Sequence, residues 1–426
     1  MRSRRARRRS TPLTQYVVRI VDLREGQALL RAQQATEQAG FTAERIPARL
    51  FSRRPILIDD GPDHLEHRRQ LVRFLSPKTL EQRHRAFIER TAQEYVAAAS
   101  QAGTVKIDEL ALHFSVRVAS QIVGLTSSRT PDLAQRLEAF FRQPPVDHTR
   151  ADHGRSRKQW IQAARNALGP LLSFYWRDVR PAIKAHRTKP VDDIIGHLLE
   201  QGYRPSEVLM ECLTYGTAGM VTTREFMSMC MLRFCQDLGL RDRYLQAAET
   251  ERLAILSEII RLEPPVAHLY RRVQEGASEC PYPRGALVDI DVRSANMDPS
   301  VFIGDPEAIC TERGLSASER TGLSFGDGSH RCPGSHLALM ETDVLMRALF
   351  RAGATMRSTP HEQFDTLVQG YQLRGFIVDF VPQEASASNS LPHEATNDVP
   401  ESERSRVHDP RLPNQRADGS PPSTQS

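Results

Sequence analysis

Apolar residues recur at helical spacing through most of this chain, and only a few short stretches alternate as strands do. The periodicity predicts helices over residues 24–39, 64–74, 77–102, 107–123, 131–142, 155–186, 191–201, 206–237, 241–247, 250–261 and 335–351. Strand-like runs are fewer: 16–21, 266–273, 287–293 and 371–381. The expected fold is mainly α with small peripheral β-sheets. The longest helix, 206–237, would run about 48 Å at 1.5 Å per residue. Its middle is apolar on most faces (Leu213, Tyr215, Ala218, Met220, Val221, Phe226, Met227), so it should be buried. Gly216 and Gly219 interrupt it where each costs about 1 kcal/mol relative to alanine. Close approach of a ligand is the reason that fits.

Composition bounds the rest. The 426 residues suffice for one large domain or two ordinary ones. Six cysteines without pattern argue against a disulfide scaffold and suit a reducing cytoplasm. No apolar run approaches the ~20 residues that span a bilayer. Residues 1–12 read as a basic, disordered arm. Their arginines have no apolar run after them, so this is no secretory signal, although charge alone would also suit a transit peptide. The net charge of +5 comes partly from that arm and does not argue for nucleic-acid binding. Residues 384–426 are polar and nearly free of large apolar side chains, and are expected to be a disordered tail. The folded body is 13–383.

The chemistry concentrates in 325–334, which reads Phe-Gly-Asp-Gly-Ser-His-Arg-Cys-Pro-Gly and opens the amphipathic helix 335–351. Cys332 thus sits in a glycine-rich turn before a helix N-terminus, with His330 and Arg331 beside it. Unpaired N–H groups and the positive dipole end favour a thiolate there, fit to be a nucleophile or a metal ligand. An isolated cysteine is more often a buried structural thiol. No second Cys or His stands at zinc-ligand spacing. The pattern Phe-x-x-Gly-x-[basic]-x-Cys-x-Gly, filled by Phe325, Gly328, His330, Cys332 and Gly334, resembles the heme-ligand loop of the cytochromes P450, with Gly326 following the phenylalanine. The resemblance runs from about residue 59 to 381. It implies the P450 fold, heme b as cofactor and Cys332 as the axial iron ligand.

Other segments carry the resemblance in chain order. Ala218-Gly219-Met220-Val221-Thr222-Thr223 is similar to the family's oxygen-binding helix segment, which implies that Thr222, with Ala218 and Gly219, handles oxygen and its proton supply. A mid-helix threonine otherwise bonds the carbonyl one turn back. The acid that precedes this threonine in the family is Val221 here. Glu225, one turn on, can reach back or order a water; a salt bridge is its other reading. His64 and Arg68, at i and i+4, resemble the pair that grips heme propionates, and Arg272 and His330 stand where the family has further propionate partners. Glu258 and Arg261 resemble the buried Glu-x-x-Arg pair, with Arg313 and Arg320 as candidate third partners. Comparable chains carry an extra helix and hairpin before the segment at 16–21, which puts the first sheet in doubt.

Function follows as an expectation. The resemblance implies a cytoplasmic, monomeric monooxygenase that takes electrons from ferredoxin and ferredoxin reductase in trans, since no Gly-x-Gly-x-x-Gly run follows a strand. Arg69, Arg73 and Arg331 are the expected basic patch for that donor. Met220, Val221, Pro265 and Val266 should line the pocket. The segment 130–189 should form a basic roof (Arg150, Arg155, Arg157, Lys158, Arg165), which suits a small apolar substrate with an anionic or carrier-linked end. Val221 keeps two alternatives open: oxidative coupling, ring closure or peroxide-driven chemistry on the same fold, and a non-enzymatic heme-binding protein.

Overall fold

The computed structural model describes residues 16–40, 53–274 and 280–380. The arm expected at 1–12 and the tail expected at 384–426 lie outside the described residues, and the described residues belong to one compact unit. The helix Pro205–Gln236, hereafter the central helix, runs unbroken for 32 residues. Its middle is apolar on most faces because neighbouring elements cover most of it. Ile107–Val123 packs along it, and Ser335–Arg351, hereafter the cysteine helix, crosses it. Phe114, Val116, Met220, Phe226, Met227, Leu345 and Met346 share the resulting core. Met220 is fully buried in that core, and its carbonyl accepts from Ser115 Oγ at 3.2 Å. It does not line the pocket as expected.

Among the described residues nine short strands flank the helices: β1 (Val17–Ile20), β2 (Thr36–Ala39), β3 (Thr104–Lys106), β4 (His268–Val273), β5 (Leu287–Asp291), β6 (Ala354–Met356), β7 (His361–Asp365), β8 (Gly370–Arg374) and β9 (Ile377–Phe380). They form sheets of order β1-β5-β4-β2, β3-β9-β6 and β7-β8. The first sheet, doubted from sequence, has four strands. β1 pairs in parallel with β5, and the other pairs in that sheet are antiparallel.

Three helical expectations are corrected. The helix predicted over 24–39 ends at Arg31, and Thr36–Ala39 pairs with β4 instead. Thr36 Oγ1 donates to the Leu29 carbonyl at 3.1 Å, which ties the reversal. The run 77–102 is interrupted by a π-helical turn at Leu80–His84, and 155–186 by another at Tyr175–Val179. Each adds a residue and re-aims the following turn. The strand expected at 371–381 divides at Gly375, whose φ of +68° lets the chain leave the β7-β8 hairpin and join β9 to another sheet.

Candidate functional site

The segment before the cysteine helix folds as a tight return. Cys332 N–H donates to the Phe325 carbonyl at 2.7 Å, and Gly326 N–H to the Leu323 carbonyl at 2.8 Å. Gly328 closes it at φ +63°, where a Cβ would stand 2.3 Å from the Leu30 carbonyl oxygen, so only glycine fits. Phe325 is buried in the core. A Cβ on Gly326 would meet nothing closer than 3.8 Å, and on Gly334 only Cys332 Sγ at 3.9 Å. Burial pushes the Cys332 thiol up, against the opposing pull of the Gly334 N–H, Arg68 and Arg331. The helix N-terminus therefore does not by itself hold a thiolate here. A metal cation would displace the proton, as metal ligation by thiols ordinarily does.

A cationic cluster stands beside this loop. His64 and Arg68 project from the helix Pro62–Val72. The His64 ring stacks on His330 with centroids 4.2 Å apart. Arg68 donates to the Arg331 carbonyl. His330 Nε2 lies 3.0 Å from Asp60 Oδ1, and Arg271 reaches the same oxygen at 3.8 Å. Burial, with His330 and Arg68 adding to it, lowers His64 to about 4. Burial also lowers His330 against the Asp60 hydrogen bond, and lowers both Arg68 and Arg271. Among the described residues Asp60 is the carboxylate that contacts this cluster, through His330 and Arg271, and Arg68 and His64 have no carboxylate contact of their own. His64 Nε2 and Arg271 Nε are buried without a hydrogen-bond partner. Such groups are costly unless an anion meets them.

The sequence reading chose Arg272 for this cluster, and the structure places Arg271 there instead. Strand β4 alternates its faces. Arg271, opposite Val288, is turned to Asp60 and is almost fully buried, while Arg272, opposite Leu287, donates to the Gly285 carbonyl at 3.2 Å near the surface. Asp60, which orients His330, was not anticipated. An acid next to Gly61 at the start of the His64 helix was the available signal.

On the central helix, Thr222 Oγ1 donates to the Ala218 carbonyl at 2.7 Å. Gly219 and Ala218 are exposed at mid-helix, and a Cβ on Gly219 would meet nothing within 4 Å, whereas one on Gly216 would press Leu137 Cδ2 at 3.0 Å. Of the two glycines, Gly219 alone fits the close approach of a flat group, and Gly216 serves helix packing. Val221, Thr222, Glu225, Pro265, Val368 and Tyr371 line a small pocket. Glu225 is not poised as a relay. Its Oε1 accepts from Arg224 Nε at 2.8 Å and from an Arg374 nitrogen at 2.8 Å, and its Oε2 from the other Arg374 nitrogen at 2.9 Å and Leu373 N–H at 3.2 Å. Both oxygens are committed to bolting β8 to the central helix.

Glu258 and Arg261 are both fully buried. Arg261 donates to Glu258 at 3.2 and 2.9 Å and to the carbonyls of Asn296, Pro306 and Ala308 at 2.9, 2.7 and 3.1 Å. The third partner is Arg313, which donates to Glu258 Oε2; Arg320 instead donates to the carbonyls of Thr311 and Leu315. Asn296 ties this network to the segment before the cysteine loop, donating to Ser324 Oγ at 2.8 Å and accepting from Leu323 N–H at 2.6 Å.

A lone thiol, a glycine opening on the facing helix and a buried cationic cluster with orphaned nitrogens fit one kind of group: a flat metal macrocycle carrying anionic side chains. Cys332 could hold its metal, and His64, Arg68, Arg271 and His330 its carboxylates.

Comparison with known proteins agrees. The family model described as Cytochrome P450 matches residues 253–352. Cytochrome P450 107B1 of Saccharopolyspora erythraea is 25% identical over 370 residues, 83% of this chain and 84% of that protein. The biotin biosynthesis cytochrome P450 of Bacillus subtilis is 24% identical over 307 residues, 70% of this chain and 72% of that protein. Among solved structures, P450BioI with an acyl carrier protein ligated to hexadec-9Z-enoic acid superposes with a TM-score of 0.69 at 20% identity, covering 85% of this chain and 92% of that one. A mutant of P450 EryK with erythromycin B also gives 0.69, at 19% identity, covering 89% and 92%. The chain is therefore similar to cytochromes P450 over most of its length and carries their family pattern over residues 253–352; the prosthetic group of that family is heme b.

Proposed function

We propose that this protein is a heme-thiolate monooxygenase that oxidises a small, largely apolar substrate with O2 and electrons from a separate donor. The observation that supports it best is the pairing of Cys332 with the orphaned cationic cluster of His64, Arg68, Arg271 and His330. Bound heme supplies the iron that binds and activates O2, with the thiolate pushing electron density onto it. Cys332 would hold the iron as a thiolate, its proton passing to water. Arg68 and Arg271 would neutralise the propionates, and the two imidazoles would hydrogen-bond to them, which would give the orphaned His64 and Arg271 nitrogens their partners. Thr222 holds its hydroxyl proton on the Ala218 carbonyl, so it accepts a hydrogen bond at Oγ1 without rotating and donates one only by releasing that carbonyl. Val221, Pro265 and Val368 keep water from the reacting face.

The donor we assign is ferredoxin, with its reductase, meeting Arg69, Arg73 and Arg331. Arg69 is largely exposed but paired with Glu66 at 2.8 Å, and Arg73 lies 3.8 Å from Asp192, so the free charge of this patch is modest. For the substrate we favour an acyl group delivered on a carrier, the form in which P450BioI was crystallised. Arg157, Lys158 and Arg165 are exposed, as a basic rim requires. Arg150 and Arg155 are not available to it: Arg150 binds Asp152 at 3.0 Å, and Arg155 clasps the Pro144 and Pro145 carbonyls.

A second reading, oxidative coupling or ring closure without oxygen insertion, is favoured by Val221 and by the full engagement of Glu225. The carbon monoxide difference spectrum of the reduced protein tests the heme-thiolate reading. A strongly red-shifted Soret band is expected, and an unshifted band in freshly folded protein would overturn it. Product mass under labelled O2 then separates oxygen insertion from coupling.

A further inference from the structure

The helix Arg157–Phe174 carries an apolar ridge that the fold leaves uncovered. Ile161, Leu168 and Leu172 are 47%, 57% and 49% exposed, and Trp176, in the turn that follows, is 56% exposed. The first three stand at i, i+7 and i+11, so they stack along one line about 17 Å long, with Trp176 at its end. Gly169, against which a Cβ would meet nothing within 4 Å, and exposed Ala164 leave notches beside it.

The surround is basic. From 157 to 191 there are eight lysines and arginines and one acid, Asp178. That acid is buried and held by Arg136 through two bonds of 2.6 Å, so it does not offset the surface charge. Arg165 and Lys158 border the ridge, Arg157 heads it, and the Arg180 guanidinium covers the Trp176 ring at 4.8 Å.

We infer that this ridge docks an acidic helical protein that carries the substrate as a tethered acyl group. The inference rests on the carrier-linked reading above and adds the surface. The shape argues for a helix as occupant. The three aliphatic side chains span only about 40° of the helix circumference, well under the ≳100° stripe of an amphipathic helix and narrower than the broad apolar face that an interfacial membrane helix buries, and a narrow ridge with flanking notches suits ridges-into-grooves packing. The charge argues for an acidic partner and against a second copy, which would set this basic face against itself. The position is suitable as well. The loop leading into this helix reaches the pocket wall: Val146 N–H donates to Thr366 Oγ1 at 3.1 Å, two residues before pocket-lining Val368.

The test uses the heme-loaded full chain and a purified fatty-acyl-loaded acyl carrier protein as probe, with binding followed by calorimetry across a salt series. Binding that weakens with salt, and that loses roughly tenfold or more in Leu168→Asp/Leu172→Asp and again in Lys158→Glu/Arg165→Glu, is the expected result. Equal binding by parent and both variants, or no binding at low salt, overturns the inference. So does binding of phosphatidylglycerol vesicles in place of the carrier protein, or a dimer of the parent that the variants lose. The carbon monoxide spectrum of the same preparations keeps the two readings apart: a red-shifted band without carrier binding removes the docking surface and leaves the heme-thiolate reading intact.

Discussion

Replacing Glu225 with glutamine separates a proton relay from a structural bolt. The carboxylate is 2% exposed and accepts four hydrogen bonds, two of them as a bidentate pair with Arg374 and one from Arg224. Glutamine keeps the shape but turns one acceptor oxygen into a donor. Two bonds are lost on that side, and the Arg374 guanidinium faces an amide in place of an anion. Charge-assisted hydrogen bonds are worth about 1.5–3 kcal/mol each, and breaking a buried ion pair on one side costs about 3–5 kcal/mol. Arg224 keeps Glu138 at 2.5 Å, and Arg374 is partly exposed, so the cost lies at the low end, about 3 kcal/mol. Urea unfolding of the heme-loaded protein, followed by tryptophan fluorescence, reads it. Because β8 lines the pocket through Tyr371, the variant should also bind substrate more weakly, while the yield of product per electron pair falls no more than binding explains. A variant with unchanged unfolding midpoint and a sharp loss of product per electron pair would refute this reasoning and restore Glu225 as a relay.

Two further substitutions check the electrostatics. Arg271→Leu should weaken heme retention roughly tenfold to a hundredfold, the value of one to two charge-assisted bonds, and Arg272→Leu should change it little; equal effects, measured by heme transfer to an acceptor protein, would refute the assignment by strand face. Glu211→Gln should gain stability over the parent as pH rises. The Glu211 carboxyl is pushed by burial from its ordinary value of 4.5 to about 8. A raised pKa contributes stability that is intact below the unfolded value and lost on rising through the folded one, so the difference should open between pH 4.5 and 8 and level off at about 5 kcal/mol. Urea midpoints of both proteins at several pH values read it, and a constant difference would show that Glu211 titrates normally.

Long helices were legible because their apolar period exceeds any local noise: 107–123 and 335–351 were read to the residue, and the central helix to within one at each end. Short strands were not. Residues 36–39 contain good helix formers, and only the partner strand β4, more than 200 residues away in sequence, overrides them. The π-helical turns leave no mark in a period measured over such windows.

The site divides the same way. Residues inside a contiguous motif, Phe325 to Gly334 or His64 with Arg68, came together as expected because the local backbone brings them together. Residues whose role depends on register did not. In Leu269-Tyr270-Arg271-Arg272-Val273, Tyr270, Arg271 and Val273 are all buried, so the strand is covered on both faces and hydropathy does not say which arginine turns inward. Pairing of Arg271 with Val288 decides it. Of the two readings the sequence leaves open for Glu225, relay or salt bridge, the structure shows the salt bridge. One turn from Thr222 it looks available to a proton, and its commitment is visible only once Arg374, 149 residues on, lies against it. That commitment sharpens the meaning of Val221. With the nearest carboxylate on this face held by two guanidiniums, Thr222 is the hydroxyl that the central helix brings to the pocket wall, and on the proposed reading water must bring the proton there. On the proposed reading such a site would lose protons to the wrong step unless the substrate excludes stray water, which favours a tethered apolar substrate that fills the pocket before oxygen is used.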